Sequence, residues 1–120
     1  MTGTELRALC HSFPETTEKL TWGDAEHAGD LTFRVRDKIF VITGDEHSTR
    51  AIIRTTIEQQ ADLLSAFPEA FTRAAYVGRF GWVEVDLTKA ADDIVREVVR
   101  VAWLRTAPKK VAAAYETKTG

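Results

Sequence analysis

Two glycines three residues apart, Gly78 and Gly81, sit in the run Ala75-Tyr76-Val77-Gly78-Arg79-Phe80-Gly81-Trp82-Val83-Glu84-Val85-Asp86 and lead straight into an alternating pattern. Glycine takes positive φ without steric cost, so the spacing predicts a sharp turn with Arg79 and Phe80 at its tip. Beyond the turn, Trp82, Glu84 and Asp86 fall on one side, and Val83, Val85 and Leu87 on the other. That is the period of a strand with one face on a core and one in water, which points to an antiparallel sheet covered on a single side.

A chain of 120 residues fits one domain, and at this size folding removes about 65% of the unfolded chain's surface from water, enough for a core without staples. Cys10 is the one cysteine, so no internal disulfide can form. With no apolar run after a basic cluster at the N-terminus and no segment near 18 apolar residues, a cytoplasmic protein away from membranes is expected. The formal charge is −2. Residues 1–30 carry two basic and six acidic side chains, residues 91–120 six basic and four acidic. Nucleic-acid binders usually carry a larger basic excess, so any phosphate contact would have to rest on a local patch.

In chain order, Thr2 and Glu5 have capping-box spacing ahead of a short helix whose stripe is Leu6, Leu9, Cys10 and Phe13. Cys10 on that stripe is a small core hydrophobe. A polar stretch follows to Asp30, with Trp22 beginning or preceding a short strand. Leu31, Phe33 and Val35 alternate with Thr32, Arg34 and Arg36; Arg36-Asp37-Lys38 reads as a hairpin turn and Lys38–Thr43 as the returning strand. Ala51–Arg54 is a third strand. Thr55 or Thr56 caps a second helix bearing Leu63, Leu64 and Phe67, ended by Pro68. After the glycine loop and its strand, Thr88 caps a last helix lined by Ala91, Ile94, Val95, Val98, Ala102 and the stem of Arg105. Pro108 ends it, leaving Lys109-Lys110 and a polar tail. The result is an α+β domain in the order α-β-β-β-α-β-α, with helices on one face of an antiparallel sheet. Its span is residues 1–115, with 116–120 a flexible tail.

Trp22-Gly23, Thr32-Phe33-Arg34-Val35 with Lys38-Ile39-Phe40, Ala75-Tyr76-Val77-Gly78-Arg79 with Gly81-Trp82-Val83, and Ala107-Pro108-Lys109-Lys110 occur in this order over nearly the whole chain. In these motifs the sequence resembles the MmcQ/YjbR-like family. The resemblance implies a CyaY-like fold and a DNA-binding domain with a double-wing arrangement. Two departures stand out: Phe80 replaces a histidine often found before the glycine and tryptophan, and the loop from Asp24 to Asp30 is longer.

The sequence raises four possible chemistries. The basic set Arg34, Arg36, Lys38, Arg79, Lys109 and Lys110, with Trp82 as a stacking surface, would grip DNA phosphates if the arginines project from the open sheet face beside the hairpin wing. The same charges could instead pair with Glu84 and Asp86 across the sheet. Asp24, Glu26, His27 and Asp30 approach Asp45, Glu46 and His47 at one end of the hairpin, an oxygen and imidazole set that suits a divalent cation, although no metal-ligand spacing is present. Neither a metal nor a cofactor is therefore expected. Catalysis lacks a signature, since His11, His27 and His47 are scattered and no nucleophile elbow or phosphate loop occurs. Trp22, Phe80 and Trp82, if exposed, would form an apolar patch for a protein partner or a second copy. Both a monomer and a weak dimer fit the composition.

Overall fold

The computed structural model describes residues 1–21, 30–45 and 47–119. Among them the order is α1 (Gly3–His11), β1 (Thr16–Thr21), β2 (Asp30–Val35), β3 (Lys38–Thr43), β4 (Arg50–Ile53), α2 (Ile57–Ala66), β5 (Phe71–Arg73), a 3₁₀ turn (Val77–Phe80), β6 (Val83–Asp86), α3 (Asp92–Thr106) and α4 (Lys109–Thr119). The described strands form one antiparallel sheet in the order β1-β2-β3-β4-β6-β5. After β4 the chain crosses through α2 to the edge strand β5, then returns as β6 between the two.

Register explains which side is covered. Phe33, Val41, Ile53 and Val83 stand opposite one another across β2, β3, β4 and β6, and all four are fully buried. Each such side chain stabilises the fold by about 1.5–3 kcal/mol. The adjacent row, Thr32, Ile42, Ile52, Glu84 and Thr72, lies on the opposite face. Helix α3 packs on β3 and β4, α1 on β1, and α2 on β5. The expected α+β sheet with helices on one face is the observed architecture, and Val83, Val85 and Leu87 are buried as their alternation requires.

Two edge strands were not expected. β1 forms in the polar stretch because Thr16, Thr17 and Thr21 are β-branched and an edge strand needs little apolar surface. Its Glu18 sits opposite Phe33 and accepts from Arg7 Nε at 2.7 Å and Nη2 at 2.9 Å, with His11 Nε2 at 2.6 Å from the same carboxylate. β5 is only three residues long and follows the turn at Pro68. The hairpin turn is narrower than expected: Arg36 and Asp37 both take positive φ, and Lys38 already pairs with Val35.

The start and end of α3 also differ. Its N-cap is Ala91, while Thr88 instead donates its hydroxyl to Asp86 Oδ1 at 2.6 Å. Trp103 is the largest fully buried side chain; it stacks on Phe13 at 5.6 Å and donates from Nε1 to the Pro14 carbonyl at 3.2 Å. Arg105, expected to lend its stem to the inner stripe, is exposed. Past Pro108 the chain forms α4, whose Tyr115 meets Trp103 at 5.0 Å and Phe13 at 5.7 Å. Proline is well tolerated at the start of a helix, and Ala107 before it is extended at ψ 148°. Cys10 is buried in the core, where desolvation first and the charge of Glu18 second push its thiol pKa up.

Candidate nucleic-acid interface

The glycine loop is shaped by backbone contacts. Gly81 has φ +100°, and a Cβ there would lie 2.5 Å from the backbone nitrogen of Ile57, so only glycine lets the loop press against the start of α2. Gly78 does not take positive φ; Tyr76 does, at φ 60° and ψ −63°, with Val77 N–H donating to the Ala75 carbonyl at 2.6 Å. This is the rarer, strained hand of the three-residue turn, and it leaves the Tyr76 side chain 93% exposed. Thr55 and Gln60 fasten the loop from the other side. The Thr55 hydroxyl donates to the Gly81 carbonyl, and Gln60 Nε2 donates to the carbonyls of Gly78 at 2.9 Å and Trp82 at 2.8 Å. Of the two threonines, Thr56 caps α2 by accepting from Gln59 N–H.

The fastened loop forms one wall of an open cleft of about 710 Å³, lined by Trp82, Phe80, Arg54, Arg105 and the residues from Thr55 to Glu58. Arg54 follows β4 directly, and its Nη1 donates to Thr106 Oγ1 at 3.3 Å, which holds the guanidinium at the end of α3 beside Arg105. Phe80 is 61% exposed, and the Arg79 guanidinium lies over its ring at 4.8 Å from the centroid. The first turn of α2 carries backbone N–H groups without helical acceptors. Glu58 is the one carboxylate in the lining.

Among the described residues, ion pairs hold four of the ten arginines. Arg7 is held by Glu18, Arg36 by Glu15 at 2.6 Å, Arg50 by Glu84 at 3.3 Å and Asp86 at 3.8 Å, and Arg100 by Glu97 at 2.6 Å. The hydrogen bonds from Arg36 hold the Glu15 carboxyl below its usual range. Among the described residues, no carboxylate lies within salt-bridge distance of Arg54, Arg79 or Arg105. These three gather around the aromatic pair, and that arrangement suits an anion attached to a flat ring.

The structure distributes the sequence-based basic set over the β2–β3 hairpin, the glycine loop and the start of α4. Arg34 and Arg36 were expected on one strand face, but β2 ends at Val35 and positive φ turns Arg36 off the strand toward Glu15. Arg34 instead donates to Thr32 Oγ1, Thr21 Oγ1 and the Asp37 carbonyl. Lys38 stands opposite Val35, and Lys109 and Lys110 open α4, where Lys110 lines a groove with Glu15 and Tyr115. Of the seven candidates, Trp82 lines the cleft and Arg79 adjoins it. The cation paired with Glu84 and Asp86 is Arg50, across β4 and β6. Sequence reasoning missed Arg54, Arg105, Thr55 and Gln60; the legible signal was an arginine and two threonines placed directly between a strand and a helix.

Of the proposed cation ligands, Asp24, Glu26, His27 and Glu46 lie outside the described residues, as does Trp22. Asp45 Oδ1 accepts from the His47 backbone N–H at 2.7 Å. Among the described residues no three His, Cys, Asp or Glu side chains cluster as metal ligands, and no described helix is long and apolar enough to cross a membrane.

Comparison with known proteins bears on the fold and the family. No curated protein matches the chain. The crystal structure of Deinococcus radiodurans protein DR2400, described as a DUF419 domain, superimposes with a TM-score of 0.74 at 21% identity, covering 86% of this chain and 76% of that one. At that identity the likeness is one of fold. The model of the family described as YjbR matches residues 11–105, well over half of the sequence and including β1 through most of α3. The chain belongs to the YjbR family.

Proposed function

We propose that this YjbR-family chain is a DNA-binding protein that holds its ligand in the cleft at the end of the sheet. Arg54, Arg79 and Arg105 supply the phosphate contacts, and Trp82 and Phe80 supply the stacking surface. The observation that carries this is the convergence of Arg54 and Arg105, neither paired with a carboxylate among the described residues, on an open space walled by two aromatic rings. Arginines already satisfied by carboxylates contribute little to phosphate binding, because breaking the existing pair offsets the new one. The protein works without catalysis, as a binding module.

Polarised fluorescence of a labelled oligonucleotide over a salt series tests this. Three phosphate contacts predict a slope of log K on log salt of about −2 for a single strand. Replacing Arg54 and Arg105 together by alanine should flatten the slope by about 1.4, while Arg36→Ala leaves it unchanged. A flat response in the unaltered protein would remove the proposal.

A second occupant is favoured by one observation. Ile57, Phe80 and Tyr76 are each more than half exposed, and the first two line the cleft. Apolar surface of that kind also suits a protein partner or a second copy. A concentration-dependent mass in solution that Phe80→Ser abolishes would support that occupant.

A further inference from the structure

The cleft's form bears on which form of DNA it takes, and the inference rests on the DNA-binding function proposed above. We propose that the cleft receives one unpaired nucleotide of a strand, with its base against Trp82 and Phe80 and the phosphates on its two sides on Arg54 and Arg105, so that single strands and gaps bind in preference to continuous duplex.

Three observations lead there. First, duplex is read by elements that project into a groove about 12 Å wide, whereas this surface is concave. At about 710 Å³ the cleft falls in the size range of small-ligand sites. A paired base hides both its faces in the stack; an unpaired base can offer one to an aromatic wall. Second, the tip of the projecting element that a duplex would need carries no free positive charge. The β2–β3 turn consists of Arg36, already held by Glu15 at 2.6 Å, and Asp37, which repels phosphate. Third, the backbone that carries the aromatic wall is fastened before any ligand arrives. Gln60 holds the Trp82 and Gly78 carbonyls, Thr55 holds that of Gly81, and Gly81 presses on α2. A prearranged stacking surface loses little freedom on binding.

The opposite charge in the lining, Glu58, sits on the first turn of α2. It disfavours any further phosphate on that side of the cleft.

The test uses the unaltered protein and four probes: a thymidine 12-mer, the same 12-mer in a blunt duplex, a 12-mer of abasic sugar-phosphate units, and free thymidine monophosphate with inorganic phosphate as its control. The 12-mer should bind at least about tenfold tighter than the duplex, and removing the bases should cost about tenfold or more, in line with stacking of a base on an aromatic ring. Thymidine monophosphate should compete with the 12-mer where inorganic phosphate does not; competition by both alike would show an anion site without base recognition and overturn the inference. Trp82→Ala should weaken the thymidine 12-mer but leave the abasic one nearly unchanged, a difference that a general loss of folding would not produce. Equal binding of strand and duplex, or of thymidine and abasic strands, would overturn the inference while leaving DNA binding intact. Absence of binding to every DNA probe at low salt would overturn both.

Discussion

Gly81 lies so close to the first turn of α2 that a β-carbon on it would sit 2.5 Å from the backbone nitrogen of Ile57. This contact ties the loop bearing Phe80 and Trp82 to the helix that forms the facing wall of the cleft, so the shape of the cleft depends on one absent methyl group. Gly81→Ala meets backbone atoms that cannot rotate away and also requires a left-handed φ. A loss of about 2–4 kcal/mol is expected, read as a fall in thermal midpoint of several degrees for each kcal/mol. An unchanged midpoint would show that the loop and helix are not pressed together.

Tyr76 should behave in the opposite sense. Its strained turn costs about 1–3 kcal/mol, and glycine at the same place costs about 0.5–1 kcal/mol in chain entropy. Since the side chain is almost fully exposed, Tyr76→Gly loses no packing and should raise the thermal midpoint. A lower midpoint would mean that the tyrosine ring stabilises the loop after all.

How far the fold could be read ahead depended on whether a segment carried its own periodicity. The alternation from Trp82 to Leu87 and the stripe of Leu6, Cys10 and Phe13 are local signals, and both faces appear as read. β1 has no such signal: its Thr16, Thr17 and Thr21 become a strand because β2 offers an unpaired edge, which is tertiary information. α4 was hidden by Pro108, which reads as a stop but starts the next helix. The cleft was half legible for the same reason. Trp82 and Arg79 belong to the loop that the glycines announce, while Arg54 and Arg105 are 51 positions apart and meet only because α3 lies over β3 and β4.

Trp103 ties α3, α4 and the turn after α1 together, through Phe13, Tyr115 and the Pro14 carbonyl. Trp103→Ala should cost about 3–5 kcal/mol. Tyr115→Ala should cost less and should raise hydrogen exchange within α4 more than in α3. Equal protection in both variants would mean that α4 docks by other contacts.

The Glu18 carboxylate predicts an acid limb of stability. The hydrogen bonds from Arg7 lower its folded pKa most, burial opposes them to a lesser extent, and the His11 contact lowers it further. A lowered folded pKa stabilises the native state fully above the unfolded value of about 4.3, and that contribution disappears as pH falls through the folded value. The stability gap between the natural chain and Glu18→Gln, about 1 kcal/mol at neutral pH, should therefore narrow as pH falls below the unfolded value and vanish once pH lies below the folded one. A gap independent of pH would place the effect in packing.

Photocrosslinking locates the ligand most directly. A thymidine 12-mer carrying bromodeoxyuridine, irradiated with the protein and followed by trypsin digestion, should leave its adduct on the peptide from Phe80 to Lys89, which holds both aromatic rings of the cleft. An adduct confined to the peptides of the β2–β3 hairpin or of α4, with residues 80–89 unmodified, would contradict the placement of DNA at the end of the sheet.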